Sequence, residues 1–235
     1  MQHTYSARAV NCLLASLPDK DLTRFLTACE TVDLALGAVL AEPNEPMRQV
    51  YFPTGCFISL VSKIDGHDSL EVGLVGDEGM LGVTLVLGVD ASPLHALVQG
   101  AGKALCMDTA SFVHELEASP DLRRVLKRYL YITMQQLAQS ATCTHFHRVE
   151  ARLARWLLTA QDRAHSSSFH VTHECLAYLL GVRRVGITRA ATALHNRKLI
   201  DYRRGDVTIL DRAGLKAASC ECYAADKASY ARVLG

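Results

Sequence analysis

The chain has 235 residues, 49% of them apolar and 21% charged, with 8 cysteines and a formal net charge of +1. That balance excludes a disordered or collagenous chain, and the length suffices for one large or two small cores. The near-zero total hides an uneven distribution: residues 1–147 hold 10 Lys and Arg against 16 Asp and Glu, whereas residues 148–235 hold 15 against 8. A basic half points to a polyanionic partner, because Lys and Arg neutralise phosphates and release counterions. Two solvated surfaces of unlike charge are the simpler alternative.

Met1 to Val10 reads MQHTYSARAV and has no apolar centre, so no signal peptide is expected. No run reaches about 18 apolar residues, so no membrane partner is expected either. Eight cysteines scattered through apolar segments then read as reduced thiols of a cytoplasmic protein.

Residues 7–30 are predicted helical, with Leu13, Leu14 and Leu17 before Pro18, and Leu22, Phe25 and Leu26 after it. From Thr31 short β-type runs alternate with turn residues: Val32–Leu36, Val39–Ala41, Val50–Phe52, Phe57–Ser62, Leu70–Val75, Leu94–Gln99 and Ala104–Met107. That spacing predicts a small all-β sandwich, roll or barrel. Residues 109–117 return to a helical pattern. Ser119 and Pro120 then fit the cap and first turn of a long helix reaching Cys143.

Along that helix Leu122, Val125, Leu126, Tyr129, Ile132, Thr133, Gln136, Leu137 and Ser140 follow an approximate a/d spacing. Either the β domain or the same helix of a second subunit must cover such a stripe, and the second option makes a two-fold dimer. Arg148 to Ala164 forms another amphipathic helix, and Phe169–Val171 a short strand.

Residues 172–199 read THECLAYLLGVRRVGITRAATALHNRKL. Thr172 caps a helix that ends at Gly181, and a second helix follows within three residues. Its apolar stripe is Ile187, Ala190, Ala191 and Leu194, with Val185 partly included. Arg183, Arg184, Thr188, Arg189, Thr192, His195 and Arg197 lie opposite. Two short helices joined by a glycine turn make a helix-turn-helix, whose second helix meets base edges with its N-terminal residues. Leu199 to Leu210 reads as a β-hairpin with Arg203, Arg204 and Gly205 near its tip, the shape of a phosphate-touching wing.

Arg152 to Leu158, T-x-x-x-L-A-x-x-L-G at 172–181, the helix 183–194 and L-I-x-Y-R-R-G at 199–205 resemble the DNA-binding domain of Crp/Fnr superfamily regulators. The N-terminal half is similar more loosely, through Y-F-P-T at 51–54, the Asp65-Gly66 turn and E-V-G-x-V-G-x-E-G-M-x-G at 71–82. The resemblance implies an α+β chain: an N-terminal double-stranded β-roll (jelly-roll-like), a long dimerisation helix and a C-terminal winged helix-turn-helix. The corresponding boundaries are 1–118, 119–146 and 147–235.

The resemblance also assigns roles. Arg184, Val185 and Arg189 fall where the family reads bases, and Thr172 and His173 where it grips phosphate. Val185 replaces the glutamate of the family's best-known pattern, which implies a different operator. Double-stranded DNA is the expected partner, with RNA polymerase a further one at the β-roll. The family's effector pocket maps onto Glu71, Glu78, Gly79, Met80, Gly82 and Ser92. No arginine lies between Arg48 and Lys103 to neutralise a cyclic phosphate, so no tight cyclic AMP binding is expected. No cofactor is predicted and the effector is unknown.

Other chemistry is weaker. Cys12 and Cys29 are too few and too far apart for an iron–sulfur cluster. Cys143, His145 and His147 lack a distant ligand partner in the sequence, and Cys220 and Cys222 read as spare thiols, so no metal site is expected. There is no P-loop, G-x-S-x-G or H-E-x-x-H, so an enzyme is not expected. The alternative to an always-competent regulator is a β-roll that gates DNA binding through a metal, redox or small-ligand signal.

Overall fold

The computed structural model describes residues 11–64 and 69–235; the reading of Met1–Val10 and of the Asp65-Gly66 turn falls outside them. Asn11 starts the described chain by accepting hydrogen bonds from the Leu13 and Leu14 amides, which caps the short helix α1 (Cys12–Ala15). Pro18 separates it from α2 (Asp19–Thr27), because proline fits the start of a helix but not its interior. The expected single stretch is therefore two helices.

Seven strands follow: β1 (Glu30–Leu34), β2 (Val39–Ala41), β3 (Gln49–Pro53), β4 (Phe57–Lys63), β5 (Ser69–Val75), β6 (His95–Gly100) and β7 (Gly102–Asp108). They pair antiparallel in two sheets, ordered β1-β7-β3 and β2-β6-β4-β5, which form the β-roll. Side-chain alternation explains why β3 and β4 read as continuous apolar runs. Tyr51 and Ile58 pack inside the roll with Val75, Leu81 and Ala104. Val50 and Phe52 point outward onto the helices, where Phe52 meets Phe25 edge-on at 5.3 Å between ring centroids. Phe57 and Val61 point outward beneath the C-terminal domain.

Helix α3 (Thr109–Ala118) leads into α4 (Pro120–Phe146), whose first turn is closed by the Leu122 amide donating to Ser119 Oγ at 3.1 Å. At about 1.5 Å per residue, its 27 residues span about 40 Å. Leu122, Val125, Leu126, Tyr129 and Ile132 are buried within the monomer, the first four in one core with Phe52 and Phe112. Ser140 is buried too and donates to the Val72 carbonyl. This corrects the expected dimer stripe: most of it faces the β-roll. The large apolar residues of α4 left exposed are Tyr131 (49%), Met134 (62%), Leu137 (38%) and Phe146 (71%).

The C-terminal part comprises α5 (Val149–Ala164), β8 (Ser168–His170), α6 (His173–Leu180), α7 (Arg184–Asn196), β9 (Ile200–Arg203), β10 (Asp206–Ile209), α8 (Arg212–Ala218) and α9 (Cys222–Val233). The last two helices are absent from the sequence reading, which stops at Leu210. Leu153, Leu157, Leu176, Ile187, Leu194, Ile200 and Val207 make its core, and Phe57, Val61 and Leu74 of the roll join that same core. The two halves are thus packed directly on each other. None of the described helices is long and apolar enough to cross a membrane.

Candidate nucleic-acid interface

Helix α6 begins where Thr172 Oγ1 accepts from the Cys175 amide at 3.1 Å and ends at Gly181, whose φ of +62° belongs to the left-handed region. A side chain at 181 would also press on the Ser69 carbonyl and Leu70, so the turn and the docking onto β5 both favour glycine. After that turn α7 buries Ile187, Ala190, Ala191 and Leu194 against α5 and α6. By helical geometry its other face is exposed: Arg183, Arg184, Val185, Thr188, Arg189 and Thr192. Among the described residues Arg183, Arg184 and Arg189 form no ion pair, whereas Arg197, further along, is held by Glu150 at 2.9 Å. Val185, 55% exposed, offers an apolar contact beside the guanidinium groups.

The hairpin β9–β10 turns through Arg204 (φ +51°) and Gly205 (φ +92°), the two positive dihedrals of a tight two-residue turn. Arg204 is exposed and unpaired among the described residues, while Arg203 reaches back to Asp201 at 3.2 Å. His173 takes a part the sequence did not suggest. Its ring stacks on Tyr202 of β9, 4.3 Å between centroids, and its Nδ1 lies 3.2 Å from Thr188 Oγ1. Desolvation and then the Arg184 charge lower its pKa, favouring the neutral ring. His173 therefore joins helix α6, the exposed helix α7 and the wing into one rigid surface, and Thr172 remains exposed at the α6 start.

The six residues of the expected effector pocket do not converge. Glu71 and Glu78 line one cavity of about 290 Å³ between β5, α4, α5 and α9. Met80 is buried in the helix-side core, where its carbonyl accepts from Tyr129 Oη at 3.4 Å, and Gly79 backs onto the Tyr129 ring. Gly82 precedes a 3-10 turn at Val83–Leu87. Ser92 lies in a separate turn, its hydroxyl donating to the Leu94 carbonyl.

Glu71 and Glu78 meet partners from α5 instead. Arg163 Nη2 pairs with Glu78 Oε1 at 2.6 Å, and Trp156 Nε1 donates to Glu71 Oε1 at 2.9 Å. Arg152 donates to the Leu180 carbonyl at the end of α6. The sequence marked α5 only as an amphipathic helix, and nothing in it named the acidic partners.

Glu71 is partly buried, and desolvation pushes its carboxyl up to about 7 against the Ser59 and Trp156 hydrogen bonds. The folded chain then holds a proton that the unfolded chain loses near pH 4.3. The stabilisation is complete below that pH and is lost as pH rises through about 7. Glu71→Gln should remove this dependence and raise stability at pH 8 by up to about 3 kcal/mol. Urea unfolding at pH 5 and pH 8 tests it; equal gains at both pH values would mean that Glu71 is not protonated in the fold.

One chain thus combines a β-roll, a long connecting helix and a winged helix-turn-helix. Residues 151–218 match the family of the Crp-like helix-turn-helix domain. On this match the chain carries a Crp-like helix-turn-helix domain in its C-terminal part. Its structure is similar to a Crp/Fnr-family transcriptional regulator from Eubacterium rectale, at 15% identity and a TM-score of 0.68, covering 88% of this chain and 96% of that one. It is also similar to FixK2 from Bradyrhizobium japonicum (12%, TM-score 0.69, 82% and 98%) and to TTHA1359 from Thermus thermophilus (20%, TM-score 0.66, 81% and 98%). No curated protein sequence matches this chain significantly.

Proposed function

We propose that this protein is a homodimeric, cytoplasmic regulator that binds palindromic operators in double-stranded DNA and acts by binding rather than by catalysis. The observation that carries this reading is an exposed trio, Arg183 at the cap of α7 and Arg184 and Arg189 on its N-terminal half, none of them in an ion pair among the described residues. A guanidinium there can contact guanine N7 and O6 together, and Val185 can meet a thymine methyl. Thr172 with the α6 N-terminus, Arg203 and Arg204 supply phosphate contacts, which position the domain and make affinity salt-dependent. The β-roll then offers its outer surface to RNA polymerase.

Dimerisation is assigned to the exposed side of α4. Tyr131, Met134, Ala138, Ala141 and His145 are all exposed and recur at intervals of three and four, a coiled-coil seam. Pairing there brings two copies of α7 to successive major grooves, about 34 Å apart. Met134→Glu should turn the dimer into a folded monomer in sedimentation. Leu126→Ala should instead cost about 2–5 kcal/mol of stability and leave the dimer intact. A dimeric Met134→Glu protein would place the interface elsewhere.

Cyclic AMP is not proposed as the signal. Glu78 is already paired with Arg163, and calorimetry should find no saturable binding at micromolar nucleotide. Gating by another ligand is a second reading, favoured by the cavity between the two halves. Selection of bound duplexes from a random library, with no ligand added, tests both. An enriched palindrome supports a dimer that needs no effector. Enrichment that appears only with a cell extract supports gating. Salt-sensitive binding without any preference under either condition rejects the operator reading.

A further inference from the structure

The fold brings together two segments that the sequence treats as unrelated. Cys143 and His147 occupy the last turn and the cap of α4, and Cys220 and Cys222 flank the start of α9. One donor atom from each lies within 4.8 Å of the other three. Cys143 Sγ and Cys220 Sγ are 3.6 Å apart, and Cys222 Sγ is 3.6 Å from His147 Nδ1. A tetrahedral zinc ion with bonds of about 2.3 Å to sulfur and about 2.0 Å to nitrogen needs a sulfur–sulfur edge of about 3.8 Å and a sulfur–nitrogen edge of about 3.5 Å. The spacing is also far beyond the roughly 2.05 Å of a disulfide. His145 takes no part: it is exposed and packs against Phe146.

The surroundings repeat the pattern of a metal centre. His147 turns Nδ1 toward Cys222 and Nε2 toward Glu221 Oε1, 3.1 Å away. A ligating imidazole commonly holds its second nitrogen in this way, donating to a carboxylate that fixes the tautomer. Gln139 Nε2 donates to Cys222 Sγ at 2.8 Å. All three cysteines are buried and form their own cluster with Ala151.

We propose that Cys143, His147, Cys220 and Cys222 form a structural Cys3His site for a thiolate-preferring divalent ion, zinc. Four protein ligands leave no open position, so the site is structural rather than catalytic. On binding, each of the three thiols releases its proton to solvent and His147 ligates as the neutral ring. Three thiolates leave one net negative charge, beside which Arg155 stands. The metal fastens α9 across the junction between the long helix and α5, where Arg155–Asp226 at 2.9 Å and Gln136–Tyr230 at 3.3 Å already hold it. It thereby sets the angle at which the DNA-binding domain leaves the long helix. The proposal is independent of the operator reading.

The full-length protein, untagged and purified without chelator under reducing conditions, should carry about one zinc per subunit by elemental analysis. Cys222→Ser and His147→Ala should lower this to below about a fifth, with reduced thermal stability. Because either variant could misfold, the wild-type chain supplies the second readout. Stripped with a strong chelator and given cobalt(II) alone, it should develop the sulfur-to-cobalt charge-transfer and tetrahedral ligand-field bands, which zinc then abolishes. A folded wild-type protein with reduced thiols, no bound metal and no such cobalt spectrum would overturn the site. A Cys143–Cys220 disulfide recovered from reducing cells would overturn it as well.

Discussion

Arg184→Ala combined with Arg189→Ala is expected to abolish sequence preference while leaving the protein folded and dimeric. Each guanidinium, if bidentate to guanine, discriminates by about 1–3 kcal/mol, so losing both should flatten preference by at least about 30-fold. Both side chains are exposed and, among the described residues, unpaired, so neither substitution removes a packing or ionic contact. General affinity should persist, because the proposed phosphate contacts of Arg203 and Arg204 remain. Arg203→Ala/Arg204→Ala should do the converse. Affinity should fall evenly across sequences and the salt dependence should become shallower by one to two phosphate contacts, about 0.9 per contact in the log–log slope. Anisotropy titrations of the selected operator and a scrambled duplex over a range of salt separate the two. An unchanged operator preference in the α7 variant would refute the docking geometry.

Arg163→Met should cost about 3–5 kcal/mol, because it leaves the Glu78 carboxylate largely enclosed without its cation. The pair lies at 2.6 Å, with the Arg163 side chain 10% and the Glu78 side chain 24% exposed, and Tyr129 and Tyr230 stand around it. For a chain of this size the loss corresponds to a melting temperature lower by roughly 10 °C. Removing both charges, with Arg163→Met and Glu78→Leu, should recover most of it, since an apolar pair of similar volume replaces the ion pair. Differential scanning calorimetry of Arg163→Met, Glu78→Leu and the double variant provides the cycle. If the double variant is no better than the single one, the pair is not coupled and Arg163 acts through packing alone. Arg163 belongs to α5 and Glu78 to the β-roll, so the same cycle reports whether the two halves are docked in solution.

The features legible in the sequence are local. Pro18, Gly181 and the Arg204-Gly205 turn mark boundaries because only a few backbone conformations suit those residues. The periods of two and of three to four separated strands from helices. The exposed arginines of α7 were legible because a short helix with one apolar stripe must present its other face to solvent.

Three features were decided by the tertiary structure. The long helix carries apolar residues on two sides, and its periodicity could not say which side the β-roll would take. Leu122 to Ile132 went to the roll, leaving Tyr131 and Met134 outside. Glu71 and Glu78 lie near a cavity, but their partners, Trp156 and Arg163, are 85 residues away in the chain. Cys143 and Cys220, 77 positions apart, meet only because the unanticipated helix α9 returns along α4. Sequence spacing specifies contacts within a turn or a strand pair. Contacts between distant segments depend on how complete elements pack, and packing is a property of the whole chain.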